Sequence, residues 1–531
     1  MSQTPADTAV GPPRSVTEML RTLAVRQPDA PMLTQGDRTL TWGECYRRAR
    51  RMSQALVAEG VGFGDRVVFL DRNGIEYFEV FLGCALLGAV GVAVNWRLAP
   101  AEMAEIIVDS GSSVAFFGAD YADAVKEIAA ITDAVRTWVA LEDLDRWLDA
   151  RADPDPADPG FEPAADDVVL QLYTSGTTGL PKGVMITARN IATVLVESDK
   201  VFNIRADTVS LVAMPLFHIG GTGWALGGMS RGGHSVILRD VDPAAMLGLI
   251  EEHRITETFV VPAVLMFVLA TPELATTDVG SLRTIYYGAA PVSEDLLVRS
   301  MEALGCDFAQ VYGLTETTGA ITSLLAEDHD PSGPRSRLLQ SAGRPLPHVE
   351  IRIVDPDTGE ELPVGNVGEL WTRSDQNMLG YWGKSDATAD VLSGEGWFRT
   401  GDAGWVDAEG YVFLHDRIKD MIVTGGENVY PAEVENALQA HPSVADAAVI
   451  GIPDDRWGET VKAIVVRTPD APDDDEALAA DIIAATRERL AHYKCPTSVD
   501  FIDVLPRNPS GKVLKRELRK PYWAGRSRKV S

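Results

Sequence analysis

At 531 residues, with 45% hydrophobic and 24% charged residues, the chain has an ordinary globular composition and room for several domains or subdomains. A net charge of −29 disfavours a nucleic-acid partner in the absence of a strong local basic patch. Four scattered cysteines, Cys45, Cys84, Cys306 and Cys495, form no C-x-x-C pair, which argues against a zinc site or a disulfide framework and fits a reducing cytoplasm.

Residues 1–14 are polar and contain proline, without the basic and apolar regions of a signal peptide. Residues 66–70 read as a strand, 76–87 as a helix and 90–94 as a strand. The longest apolar run, 80–94, has 15 residues, short of the roughly 18–20 a membrane helix needs, so no membrane span is expected. Gly83, Cys84, Gly88 and Gly91 suit a buried helix feeding a buried strand. The Val-rich runs at 168–173, 210–214, 235–238, 259–261 and 284–287 repeat the theme, each near a helical stretch. This alternation predicts an α/β fold with mainly parallel sheets and helices on both faces.

Residues 151–167 and 327–337 read as loops. Beyond about 350 the pattern shifts to shorter strands, including 351–355 and 368–372, which suggest a small barrel-like subdomain. A last α+β unit follows, with helices at 431–439 and 477–490 and strands at 447–450, 462–466 and 498–503. The acidic stretch 470–476 reads as a solvated loop. The expected division is a large domain over 1–418 and a small mobile one over 419–531.

After the strand ending at Tyr173 come Thr174, Ser175, Gly176, Thr177, Thr178, Gly179, Leu180, Pro181, Lys182 and Gly183. Physically this is a phosphate cradle. The glycines let backbone N–H groups approach an anion closely, the hydroxyls add donors, and Lys182 adds a mobile positive charge. The spacing is not that of the nucleotide-triphosphatase P-loop, which needs G-x-x-x-x-G-K-[ST].

Seven further segments follow in order: 215–221 around His218, 287–291 with Gly288, Ala289 and Ala290, 310–316 with Tyr312, Thr315 and Glu316, 396–402 ending at Asp402, 416–420 with Arg417 and Lys419, 424–431 with Gly425 and Gly426, and 508–512 ending at Lys512. Together with the cradle they resemble the adenylate-forming superfamily of acyl-CoA synthetases, adenylation domains and luciferases, most closely bacterial fatty-acid–CoA ligases. The resemblance runs from Leu40 to about Lys520.

It implies an ATP- and Mg²⁺-dependent enzyme that adenylates a carboxylic acid, releases pyrophosphate and passes the acyl group to coenzyme A. Thr174 to Lys182 would grip the β- and γ-phosphates. Thr315 would bond the α-phosphate side, and Glu316 would bind Mg²⁺, a hard cation that wants oxygen. Asp402 would accept from both ribose hydroxyls with Arg417 close by, Tyr312 would face the adenine, and Gly288 to Ala290 would leave room for it. Lys512 would bridge carboxylate and α-phosphate as charge builds, Lys419 would be the hinge of a rotating small domain, and Gly425 and Gly426 would form a pantetheine tunnel. His218 would gate the acyl pocket. At position 188, where many relatives carry His, this chain has Ala188, read as a helix-packing position.

The pocket segments 218–224, 287–290 and 310–314 contain no Asp or Glu, which disfavours an amino-acid substrate. Ile219, Gly220, Gly221, Gly223 and Gly228 suggest an apolar cavity for a hydrophobic acid. Val311 stands where some aryl-acid relatives have glycine. A fatty acid of medium or long chain is expected, with arylpropenoic or sterol-derived acids as alternatives and a carrier protein as the alternative acceptor. A homodimer is one assembly the sequence allows.

Overall fold

The computed structural model describes residues 13–175, 181–417, 420–424, 427–454, 456–507 and 513–524. Four sheets organise them. The largest has nine strands. Six of these run parallel through its centre (307–314, 284–288, 257–260, 209–212, 234–237 and 31–35), and antiparallel strands close both edges. The second has seven strands. Its parallel members are 168–175, 90–93, 66–70, 114–117 and 137–140. Parallel strands of this kind are buried on both faces, which is why 67–70 and 90–93 read as unbroken apolar runs.

Expected and observed elements agree closely where local pattern is strong. The strand Arg66–Leu70 and the helix Pro431–Gln439 have the expected bounds. The apolar run 80–94 divides into the helix Ile75–Leu87, a turn through Gly88 at φ 77°, and the strand Val90–Ala93. Among the described residues no helix is long and apolar enough to cross a membrane. The unit after residue 350 is a four-stranded antiparallel sheet over 350–354, 368–373, 398–406 and 412–417.

One local reading is corrected. The acidic stretch at 470–476 is not all loop, because the helix Asp475–Arg487 starts inside it. Asp474 caps that helix by accepting from the backbone N–H groups of Glu476 and Ala477, and the acids of the first turn sit favourably at the positive end of the helix dipole. The charge run is a helix start signal as well as a solvated surface.

The two large sheets are stapled beside the site. Asn73, 3% exposed, donates to the carbonyls of Met214 and Leu238 at 3.1 and 3.0 Å and accepts from Leu216 N–H at 2.9 Å. A buried amide with its hydrogen bonds satisfied is costly to lose, so it fixes the path of residues 213–216 into His218. The last unit forms its own five-stranded sheet, with 498–501 parallel to 458–467 and a separate apolar core around Val434, Val449 and Ile482.

Candidate active site

The strands Val168–Ser175 and Pro181–Thr187 form an antiparallel hairpin that pairs Thr174 with Lys182. Of the cradle, Gly176, Thr177, Thr178 and Gly179 lie outside the described residues, as does the Ser175 side chain. The short strand Gly380–Tyr381 pairs with the outer arm of this hairpin, and Trp382 N–H donates to Gly183 O at 2.8 Å. Lys182 Nζ lies 4.8 Å from the Tyr381 ring centroid, a cation–π contact. The Tyr381 hydroxyl donates to Glu316 Oε1 at 2.9 Å. Tyr381 therefore ties the cradle lysine to the acid that the motif assigns to metal. Sequence reading missed it, because only strand pairing across about 200 residues brings it there.

Glu316 sits in a short 3₁₀ turn, Thr315–Thr317, directly after the strand Asp307–Leu314. Its backbone carbonyl accepts from Met378 N–H at 2.8 Å. The Thr317 hydroxyl locks the turn, accepting from Leu314 N–H at 2.9 Å and donating its one proton to Gly319 O at 2.7 Å, with Leu314 O also within 3.1 Å. Among the described residues no cluster of three or more His, Cys, Asp or Glu could hold a metal ion by itself. A single half-buried carboxylate beside a phosphate cradle suits Mg²⁺, which is bound through one or two carboxylates plus substrate phosphates rather than an all-protein cage.

The strand Asp307–Leu314 separates two chambers because side chains alternate along it. On one face the Tyr312 hydroxyl donates to Asp402 Oδ2 at 2.6 Å, so the proposed adenine and ribose groups are in direct contact. Asp402 pairs across the sheet with Arg417, whose side chain lies outside the described residues. On the other face Val311 and Gly313 line a cavity. Glycine is required at two positions here by close backbone approach. A Cβ on Gly288 would lie 2.1 Å from Val311 O, and one on Gly313 1.9 Å from Gly319 O. Ala289, at φ 63°, occupies a left-handed conformation that non-glycine residues rarely adopt.

The space in and around that cavity, open solvent at its mouth included, is about 900 Å³. The helix Ile219–Met229 supplies Gly220, Gly223, Gly227 and Gly228, while Phe202, Trp224, Phe259 and Tyr286 bring aromatic surface. The rings are fixed. Tyr286 hydroxyl donates to Phe202 O at 2.6 Å and Trp224 Nε1 to Leu211 O at 3.1 Å, and Tyr286 packs edge-on to Phe202 with centroids 5.4 Å apart. No Asp or Glu is among the lining residues. The pocket tyrosine is Tyr286, not Tyr287. Tyr287 is absent from the cavity lining, and its hydroxyl bonds His329 Nε2 at 3.0 Å.

His218 precedes the cavity helix, with its Nε2 buried and without a hydrogen-bond partner among the described residues. Burial, with the Arg97 charge adding, pushes its pKa down to about 4. Burial, with His253 adding, does the same to His234. Unfolded imidazoles titrate near 6.5, so these groups favour folding fully above that pH and lose their contribution as pH falls through the interval down to about 4. Unfolding midpoints should drop steadily from about pH 7 to about pH 4.5, and His234→Gln should flatten that slope. Parallel slopes in variant and wild type would assign the effect to other groups.

Lys419, Gly425, Gly426 and Lys512 lie outside the described residues. Ala188 is buried at the start of the helix Ala188–Val201, consistent with a packing position.

A protein-family model described as AMP-binding enzyme matches residues 20–382, and one described as AMP-binding enzyme C-terminal domain matches 433–512. The chain is 42% identical to the fatty acid–[acyl-carrier-protein] ligase ScoC of Streptomyces coeruleorubidus, over 96% of each chain. It is 40% identical to a feruloyl-CoA synthase of an Amycolatopsis species, over 93% of this chain and 96% of that one. The crystal structure of ATP-bound MatB from Rhodopseudomonas palustris superposes with a TM-score of 0.86 at 30% identity, covering 95% of this chain and 99% of that one.

Proposed function

We propose that this chain, which belongs to the AMP-binding enzyme family, is an acid–CoA ligase that activates a hydrophobic carboxylic acid with ATP. The observation that carries this reading is the placement of an apolar cavity and a Tyr312–Asp402 nucleotide face on opposite sides of one strand that leads into the Glu316 turn. An acid seated on one face and a nucleotide on the other would meet at that strand's end.

A carboxylate is a poor electrophile. In the first half-reaction its oxygen attacks the α-phosphorus of ATP, the bond to the leaving pyrophosphate breaks, and a mixed anhydride forms. The protein's task is positioning and neutralising charge. Thr174, Ser175, Gly176, Thr177, Thr178, Gly179 and Lys182 would hold the β- and γ-phosphates, Thr315 the α-phosphate side, and Asp402 with Arg417 the ribose. Glu316 would hold Mg²⁺, which when bound offsets phosphate charge. In the second half-reaction the thiol of coenzyme A, led along Gly425 and Gly426, attacks the acyl carbon and AMP departs. Lys512 serves the first half-reaction, and Lys419 is the hinge of the small domain, taken as 419–531 against 1–418. His218 gates the acid. A reducing cytoplasm is the compartment that four free cysteines suit.

A medium- or long-chain fatty acid is the leading substrate class. An aryl acid is the second reading, favoured by the hydrogen-bonded ring wall of Phe202, Trp224 and Tyr286, which offers flat faces rather than a flexible tube. The deciding assay measures pyrophosphate and AMP release with a panel of fatty, arylpropenoic and amino acids, with coenzyme A, with a holo acyl-carrier protein, or with neither. Acid-dependent release accompanied by an acyl-CoA thioester is expected. Thioester found only on the carrier protein would replace the acceptor, and release with amino acids alone would replace the substrate class.

A further inference from the structure

Thr317 and Thr318 are consecutive, and they use their hydroxyls in opposite ways. The Thr317 hydroxyl is fully engaged in locking the metal-side turn. Thr318 is 2% exposed, yet its Oγ1 is buried without a hydrogen-bond partner among the described residues. Thr318 also adopts φ 51°, a left-handed conformation that is a genuine outlier for a β-branched residue. Glycine or asparagine would take it with less strain. A buried donor without a partner and a strained backbone are each unfavourable, and here they coincide on one residue.

Thr318 lines the acid cavity, together with Ile219 and Gly223, and also a smaller apolar recess that shares these residues. Its N–H donates to Thr315 O at 3.0 Å, so its position is coupled to the turn that carries Glu316. Trp224, Tyr286 and Gln376 of the cavity wall spend their polar groups on the protein itself. Trp224 and Tyr286 bond backbone carbonyls. Gln376 Nε2 donates to Thr317 O and Ala320 O, both at 2.7 Å, and its Oε1 meets His348 Nε2 at 2.5 Å.

We infer that Thr318 is a substrate-positioning group: its hydroxyl donates a hydrogen bond to the carboxylate of the bound acid, holding that group at the end of the cavity that adjoins the Glu316 turn. The ligand is the acid already assigned to this cavity, so the inference rests on the ligase reading above. The unbound protein carries the unsatisfied hydroxyl and the backbone strain, and the acid's carboxylate satisfies the former. The residue then acts on affinity for the acid and on the geometry of attack, while leaving ATP binding alone.

The test compares Thr318→Val, which keeps the β-branch and loses the donor, with Thr318→Ser, which keeps the donor, and Thr318→Gly, which relieves the strain. Initial rates of pyrophosphate release would be measured with dodecanoic acid and with 4-hydroxycinnamic acid. KM would be determined separately for acid and ATP, alongside unfolding midpoints. The valine variant should raise KM for the acid about tenfold or more, the scale of a lost hydrogen bond to a charged group, with KM for ATP unchanged. Serine should stay within about threefold of wild type, because the donor is retained. Glycine should unfold at a higher temperature yet match valine in its kinetic defect, a split that a merely structural role would not produce. Wild-type kinetics in the valine variant, or an equal defect in serine and valine, would overturn the inference. If valine does not fold, the glycine–serine pair decides the same question. Absence of acid-dependent release from the wild-type enzyme with either acid would instead overturn the ligase reading.

Discussion

Lys512→Ala should abolish adenylation, lowering acid-dependent pyrophosphate release by about 10²- to 10³-fold or more, the scale of losing one preorganised charge in a transition state. Thioester formation from a presynthesised acyl-adenylate should survive within a few fold. Carboxylate and α-phosphate are both anionic, so their approach is opposed until a cation bridges them. A lysine on a flexible stem, next to Gly511 in the sequence, suits that task. The chain on both sides of Lys512 is pinned. Arg507 and Val513 form an antiparallel bridge, and Leu514 N–H donates to Pro506 O at 2.8 Å. Single-turnover measurement of each half-reaction separates the outcomes. Equal loss in both would show that Lys512 supports the fold or the hinge rather than the first chemical step. Lys512→Arg should rescue poorly, since a planar guanidinium does not replace a compact ammonium.

Glu316→Gln should lower turnover by about 10²-fold or more and shift the Mg²⁺ requirement to much higher concentration. Glutamine is the informative replacement because it keeps the shape and the acceptor for the Tyr381 hydroxyl, which bonds Glu316 Oε1 at 2.9 Å. The turn itself is held by Thr317 and by the bond from Met378 N–H to the Glu316 carbonyl, neither of which the substitution touches. What changes is the negative charge that a hard cation needs. An unchanged unfolding midpoint with a lost magnesium response is the expected pattern. Wild-type rates at limiting magnesium would remove Glu316 from the metal site.

The expectations for the nucleotide side rest on motifs that are local in the sequence. The run 174–183 combines backbone freedom, hydroxyls and a lysine within ten residues, and Thr315 with Glu316 stands in the short motif 310–316, whose strand Asp307–Leu314 only the structure shows. The strand Arg66–Leu70 and the helix Pro431–Gln439 were legible for the same reason, since hydrophobic period and flanking glycine or proline are short-range signals. The helix at 475–487 was misjudged at its start because an acidic run serves equally as loop and as helix N-terminus until its cap is seen.

The acid side was decided by packing between distant segments. Trp224 lies in the pocket segment 218–224 that the sequence marks out, but Phe202, Phe259, Tyr286 and Thr318 come from four other places in the chain, and none of these four carries a signal that distinguishes a cavity wall from ordinary core. Tyr286 and Tyr287 are adjacent and identical in type, and only the orientation of their strand sends one to the cavity and the other to His329. Tyr381 reaches Glu316 only because strand 380–381 pairs with the phosphate hairpin. The sequence by itself pointed to phosphate chemistry, since a glycine- and hydroxyl-rich run with a lysine is a matter of residue type and short spacing, whereas the metal role of Glu316 and the bridging role of Lys512 are what the family resemblance implies. The tertiary structure alone decided the shape of the acid pocket and which hydroxyl is left unsatisfied within it, because volume, burial and strain arise from contacts between residues that the chain keeps far apart.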